Sequence, residues 1–253
     1  MGKLDVDEQV EQVRSEGFCI LYDCLPVELI DACNEAFQSI LEEHAAEIAE
    51  KPNRGAMRMY LSLPLRPPFY DKRIFDNDAI LSVVERLLGE NMVISQYATD
   101  TPLAGSEHQD VHQDLGVLFP EEPDLVHPPE VIAVNFPFVD VTAERGPFEV
   151  ARGTHNIPYS KAFQGIEAGE IPLEPVFLNR GDVLIRNPRC LHRGTPNTTG
   201  TPRPVAVIGC NRWWLERSNR AKPSPMSRDV LEHLSEREQR LLRLFECDDP
   251  STG

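Results

Sequence analysis

VIAVNFPFV, residues 131–139, is an uninterrupted run of apolar, β-branched and aromatic residues around a single asparagine. A short run of this kind, bounded by turn residues, reads as a buried strand. Working outward, similar runs recur on both sides. MVISQY (92–97) and HQDLGVLF (112–119) precede it; PFEV (147–150), EPVFL (174–178), DVLI (182–185) and PVAVIG (204–209) follow it. Clusters of turn-forming residues separate them: TPLAGSE, EEPDLVHPP, RGTHN, NRGD and TPNTTGTPR. Several β-type runs without long helices between them predict an antiparallel sandwich or barrel.

The flanks read differently. Gly17 to Tyr22 suits a short apolar strand, and Pro26 suits the first turn of a helix in which Leu29, Cys33, Phe37, Ile40 and Leu41 recur at helical spacing. A second helix fits Asp78 to Leu88, begun by Asp76 or Asn77 and stopped by Gly89. Near the end, Ser235 and Glu238 form a capping box ahead of an apolar face of Leu241, Leu242 and Phe245. The predicted fold is mainly β with flanking helices, on a double-stranded β-helix (jelly-roll, cupin-like) core. With no repeat or low-complexity linker, residues 1–253 are expected to form one domain: a helical part over about 1–90, a β-core over about 91–212 and C-terminal helices over about 226–246.

Charge narrows the function classes. Forty-one acidic against 25 basic side chains give a net charge of -16, a field that repels nucleic acid and anionic membrane. Neither is an expected partner; a small molecule is, with the chain a monomer or homodimer. No run approaches the ~20 apolar residues of a membrane span. The polar opening MGKLDVDEQVEQVRSEG has no apolar signal core, so a cytoplasmic setting is expected. The six cysteines show no CxxC pair or framework spacing and read as reduced, mostly buried residues.

Histidine is scarce, seven in all, yet two fall close together in HQDVHQD (108–114). On a strand, residues i and i+2 share a face, so His112 and Asp114 can offer an imidazole and a carboxylate to one ion. His192, in RCLHRGTPN, is the best third ligand. Two histidines and one carboxylate on one face of an octahedral ion leave three open positions, the facial triad of non-haem Fe(II) oxygenases. An HxD alone is common and specifies little. Eleven residues beyond His192, however, Arg203 precedes an apolar strand, where a buried cation needs an anionic partner. A dicarboxylate supplies one through bidentate hydrogen bonding.

These residues together carry a resemblance. A Gln three before HxD, then a distal His, then Arg stand as Gln109, His112, Asp114, His192 and Arg203. DVTAERGPFEVARGTHN is similar to an Asp…GPL…PGSH segment, RGDVLIRNPRCLHRGTPN to a GD…H…G.PN segment, and EGFCILYDCLPVELIDAC to an N-terminal strand–helix unit. Over roughly its whole length the chain resembles the phytanoyl-CoA dioxygenase family of 2-oxoglutarate oxygenases. The resemblance implies Fe(II), 2-oxoglutarate and O2 as cofactor and co-substrates, and oxidation of an unactivated C–H bond of a small organic molecule, with secondary metabolism as one setting. It implies that Arg203 pairs with the far carboxylate of 2-oxoglutarate, with Gln109, Thr195, Asn135 and Gln96 beside the co-substrate. Asp114 also speaks against halogenation, which needs the carboxylate position vacated for halide.

Several points stay open. His108 and Asp110 form a second HxD, but only His112 has a glutamine three residues before it. Where the family often has a small hydroxyl residue two after the distal histidine, this chain has Gly194, with Thr195 next. Arg152 replaces the proline of PGSH and is either structural or a substrate contact. Of Trp213 and Trp214, one is expected in the core and the other against the pocket, with Trp213 the substrate-side choice. The proline-interrupted segment Lys51–Arg73 reads as irregular cover, a lid presenting Arg58 and Tyr60 to substrate. The same core could also serve a cupin-like isomerase or metal-binding protein, which has no use for Arg203 at this spacing, or an inactive interaction module.

Overall fold

The computed structural model describes residues 5–45, 55–215 and 225–247. Among the described residues, nine strands build two antiparallel sheets. The larger has the order β1 (Phe18–Leu21), β7 (Val183–Arg186), β4 (Val131–Pro137), β9 (Val205–Asn211), β3 (Val93–Pro102) and β2 (Arg58–Ser62). The smaller has the order β6 (Glu174–Val176), β5 (Phe148–Val150) and β8 (His192–Gly194). This is the predicted jelly-roll arrangement, one sheet facing the other.

Period-two alternation decides what each face of the large sheet does. On β4, Ile132, Val134 and Phe136 enter the main core, whereas Val131, Ala133 and Asn135 line an internal cavity. On β9, Ala206, Ile208 and Cys210 face the core, and Val205, Val207 and Gly209 face the cavity. Likewise Val183 and Ile185 of β7 are core, while Leu184 and Arg186 are cavity wall. On β3 the register shifts between Ile94 and Gln96, a bulge that turns Gln96 to the cavity while Tyr97 stays in the core. A smaller apolar cluster including Phe18, Val141, Val150, Val176 and Leu178 fills the space between the sheets beside the cavity.

Helices cover the core face. α1 (Val6–Glu16), not anticipated from sequence, is capped by the Asp5 carboxylate accepting from the amides of Asp7 and Glu8, and it buries Val10 and Val13. It ends at Gly17, whose φ of 95° is left-handed and whose added Cβ would lie 2.6 Å from Cys190 Sγ. α2 (Val27–Glu43) buries Leu29, Ile30, Cys33, Phe37 and Leu41. The short α3 (Lys72–Phe75) leads to α4 (Asp78–Leu88), capped by Asn77 and closed at Gly89 as expected. α5 (Tyr159–Glu167) packs by the small sheet, and α6 (Arg228–Glu232) and α7 (Glu236–Leu241) close the chain. Among the described residues, no helix is long and apolar enough to cross a membrane.

Three expectations are corrected. HQDLGVLF is not a strand: residues 112–119 are irregular apart from a single bridge at His112, because only that residue exchanges ladder bonds with a neighbour. The described part of Lys51–Arg73 is not an irregular lid. Arg58–Ser62 pairs with β3 as an edge strand, and Met59, Leu61, Leu63, Leu65 and Phe69 are buried in the core; the prolines fall outside that strand. Lys51 to Arg54 lie outside the described residues. Neither tryptophan is in the core: Trp213 is 64% and Trp214 50% exposed, just past the end of β9.

The capping box at α7 is present, and it reaches further than its own helix. Glu238 is fully buried; one carboxylate oxygen accepts from the Ser235 amide at 2.9 Å and the other from the Tyr70 hydroxyl. Glu238→Ala leaves the buried Tyr70 hydroxyl and the half-buried Ser235 amide without their acceptor and is expected to cost about 1–3 kcal/mol in urea unfolding. A variant as stable as the starting protein would show that this contact contributes nothing.

Candidate metal centre

The centre is assembled where residues 109–114 run against β8. His112 and His192 exchange backbone hydrogen bonds of 2.9 and 3.0 Å, the Gln109 amide donates to the Gly194 carbonyl at 3.0 Å, and the Asp114 amide to the Pro188 carbonyl at 2.9 Å. The exchanged pair sets the two imidazoles side by side, 4.5 Å between ring centroids. Asp114 follows two residues on. Its carboxylate oxygens lie 3.4 Å from His192 Nε2 and 3.7 Å from His112 Nε2. One ligand atom from each of the three falls within 4.8 Å of the others, and among the described residues this is the group that could hold a metal. His108 and Asp110 are not part of it; they line an adjoining depression with Gly55, Ala56 and Arg58, which shares Gln109 and His112 with the cavity.

The donor chemistry fits a divalent ion. His112 Nδ1 lies 2.7 Å from the Asp110 carbonyl and His192 Nδ1 2.8 Å from the Cys190 carbonyl. A carbonyl can only accept, so each Nδ1 carries the proton and each Nε2 presents a lone pair toward Asp114. Burial, and after it the neighbouring His192, push His112 below its ordinary value. Burial alone would raise Asp114. The guanidinium of Arg186, 2.7 Å away, and His192 overcome it and hold the carboxyl well below the usual carboxylate range.

Eight predicted residues share the cavity beside this centre: the three ligand candidates, Arg203, Gln109, Asn135, Gln96 and Tyr60. Arg203 is buried, and its guanidinium donates to the backbone carbonyls of Gly146 at 2.7 Å and Arg145 at 3.3 Å. Burial lowers its pKa to about 10, partly offset by Asp100, so it remains a cation at neutral pH. Gln109 accepts from the Gly194 amide through its side chain at 3.0 Å, and Gln96 donates to the Tyr60 hydroxyl.

Four predicted residues stand elsewhere. Thr195 is buried and its hydroxyl donates to the Pro147 carbonyl at 2.7 Å, away from the cavity. Arg152 is held by Glu16 and Glu174 and lies over the Phe18 ring, a structural clamp outside the cavity. Trp213 is a surface residue. Arg58 is 1% exposed and committed to Asp100 and the Thr195 carbonyl, both at 3.2 Å, so it is not a wall of this cavity.

Sequence reasoning missed Arg186 and Asp100, which both line the cavity. The signal for Arg186 is phase: in DVLIR it sits two residues after Leu184, a charge on the face opposite the core residues Val183 and Ile185.

A sequence model of the phytanoyl-CoA dioxygenase family matches residues 13–205. Among solved structures, the chain is similar to AviO1 from Streptomyces viridochromogenes Tue57, at 16% identity and TM-score 0.61, with 86% of this chain and 99% of that chain covered. It is similar to the non-heme alpha ketoglutarate dependent carbocyclase SnoK from nogalamycin biosynthesis, at 16% identity and TM-score 0.61, covering 83% and 87%. HygX from Streptomyces hygroscopicus, solved with nickel and 2-oxoglutarate bound, aligns at 18% identity and TM-score 0.59, covering 88% and 90%. At these identities the likeness establishes the shared fold.

The local geometry makes Gly194 a fixed point. A Cβ there would lie 2.5 Å from Arg58 Nη2, inside contact distance of a guanidinium that is itself buried. Gly194→Ser is therefore expected to displace Arg58 from Asp100 and to cost about 1–3 kcal/mol in chemical unfolding. Wild-type stability in this variant would refute the tight packing of Arg58 over Gly194.

Proposed function

The chain belongs to the phytanoyl-CoA dioxygenase family, and from that premise we propose that it hydroxylates an unactivated C–H bond of a small organic molecule. It is a 2-oxoglutarate-dependent dioxygenase, with Fe(II) as its cofactor and 2-oxoglutarate and O2 as its co-substrates. The observation that carries the assignment of roles is the shared cavity: a two-histidine, one-carboxylate group and a buried arginine that, among the described residues, has no carboxylate within hydrogen-bonding distance.

In this reading His112, Asp114 and His192 hold the iron through two imidazole Nε2 atoms and a carboxylate. Iron bound there supplies the activation of O2 that accompanies oxidative decarboxylation of 2-oxoglutarate to succinate and CO2. Arg203 binds the far carboxylate of the co-substrate; backbone carbonyls already orient its guanidinium, so little is lost on binding. Gln109, pinned to the Gly194 amide, and Asn135 supply polar contacts along the wall. Apolar side chains of β4, β6 and β9 exclude water around the reacting carbon. Relatives of the fold include an enzyme of nogalamycin biosynthesis and a structure with hygromycin B bound, which supports a substrate from secondary metabolism. A cupin-like binding protein would leave Arg203 without an anion.

Two variants test the roles separately. Asp114→Ala is expected to lose most Fe(II) binding and succinate formation, whereas His108→Ala keeps both; the reverse pattern would move the centre to the other HxD. Arg203→Ala removes a charge-assisted contact of about 1.5–3 kcal/mol, so the apparent affinity for 2-oxoglutarate falls by about ten-fold or more while Fe(II) binding changes little. An unchanged response to 2-oxoglutarate would rule out this role for Arg203.

A further inference from the structure

Arg186 carries a donor beyond the one that holds Asp114. It comes from β7, lines the cavity and keeps only 12% of its side chain exposed. Its Nη2 donates to Asp114 at 2.7 Å and its Nε to the Asn135 side-chain Oδ1 at 3.2 Å, and its Cζ lies over the Phe148 ring, 5.2 Å from the centroid. Nη1 is buried and has no hydrogen-bond partner among the described residues. A guanidinium nitrogen left dry and unbonded is costly, and in a ligand cavity it marks where an acceptor belongs.

A charge count points the same way. Three guanidiniums (Arg58, Arg186, Arg203) and two carboxylates (Asp100, Asp114) line the cavity or bond directly to its wall, leaving one positive charge. A divalent ion and a 2-oxoglutarate dianion cancel each other, so the loaded cavity still carries that surplus. Both carboxylates of the co-substrate already have a place, one at the metal and one at Arg203. Arg203 is anchored on the carbonyls of Arg145 and Gly146, and Arg186 is anchored on Asp114, at the metal end. The rest of the wall is mixed: Tyr60, Gln96, Gln109 and Asn135 are polar, and Leu115, Val131, Phe148, Val176 and Leu178 supply apolar surface.

We infer that Arg186 is an anion anchor for the primary substrate, and that this substrate is a small organic acid with an apolar body, its carboxylate taken by Nη1 close to the iron. The inference rests on the reading of the cavity as an iron and 2-oxoglutarate site and adds the substrate class. Anchoring the acid beside Asp114 would fix which carbon of the apolar body stands nearest the metal. The same guanidinium could instead serve the co-substrate's own metal-end carboxylate, and the test separates the two sources.

Iron-loaded protein saturated with 2-oxoglutarate is kept free of oxygen. It is titrated with octanoate and phenylacetate, and in parallel with octanamide and phenylacetamide. The perturbed visible absorption of the iron–2-oxoglutarate complex reports arrival at the metal, and calorimetry gives the affinities for Fe(II) and 2-oxoglutarate. Wild type is expected to bind at least one acid about ten-fold or more tightly than its amide, as loss of a charge-assisted bond implies. Arg186→Gln should erase that preference and Arg186→Lys should keep part of it, with neither Fe(II) nor 2-oxoglutarate binding weakened more than about three-fold. Equal binding of acids and amides by wild type, or binding of none of the four, overturns the inference. So does a ten-fold loss of 2-oxoglutarate affinity in Arg186→Gln, which assigns the residue to the co-substrate, or a comparable loss of Fe(II), which leaves it a positioning residue for Asp114. A wild-type protein that takes up no 2-oxoglutarate with iron fails before any acid is added, and that result strikes the function proposed above instead.

Discussion

The backbone pair between His112 and His192 is the joint on which the centre depends. Two residues that exchange both ladder bonds in an antiparallel pair face the same side, which brings the imidazoles within reach of one ion without any help from their side chains. Asp114 needs only to follow in extended conformation, and its amide bond to Pro188 keeps it there. The segment around them, 103–130, is otherwise irregular, and the Gln109 bonds to Gly194 flank the pair on its other side. The small sheet thus gains an incomplete fourth member, just enough ladder to carry two ligands. Because each Nδ1 is held by the carbonyl two residues before it, both rings are also oriented by the local chain.

Electrostatics then separates the cavity from the rest of the molecule. The chain carries a net charge of -16, yet three arginines converge on the cavity. Arg58 and Asp100 neutralise each other at its rim, and Arg186 answers Asp114. Arg203 alone is satisfied by carbonyl groups, which orient a cation without cancelling its charge. A site built this way holds an anion with little reorganisation, since the donors are already in place. The acidic surface opposes approach of anions, but its reach is limited to about a Debye length, ~8 Å at physiological ionic strength.

Much of this was legible in the sequence, for identifiable reasons. Short β-type runs bounded by turn residues, with no long helices between them, pointed to the sandwich, since strands so connected pair antiparallel. Asn77, Gly89 and the Ser235–Glu238 box marked helix ends because caps are local chemistry. The glutamine three before His112 chose between the two HxD pairs, and that residue does reach the Gly194 amide at 3.0 Å. What failed were inferences about orientation. Arg152, Trp213 and Thr195 lie near site segments in sequence, but Arg152 is captured by acids from other elements, Thr195 turns to a carbonyl, and Trp213 falls past the strand end. Sequence proximity carries no information about partners 136 residues away, such as Glu16 for Arg152. The prolines around 52–68 hid β2, because an edge strand of five residues fits between them.

That hidden strand explains the departure at Gly194. Gly194 lies two after the distal histidine, where the resembling family often carries a small hydroxyl residue, and its Cβ position here is filled by the Arg58 guanidinium. The two features are one substitution in physical terms: a bulky cation from β2 stands where a short side chain from β8 would stand, and a glycine is what lets it. Arg58 in turn fixes Asp100 and the Thr195 carbonyl, so the cavity wall next to Arg203 is shaped from the sheet edge. Tyr60, two residues along the same strand, faces the cavity and bonds Gln96. β2 lies at the outer edge of the sheet and holds none of the three candidate ligands, yet it sets the space and charge beside Arg203. The residues that set this site apart therefore come from an edge strand, where change disturbs one neighbour, while the ligands stay on the joint that cannot move.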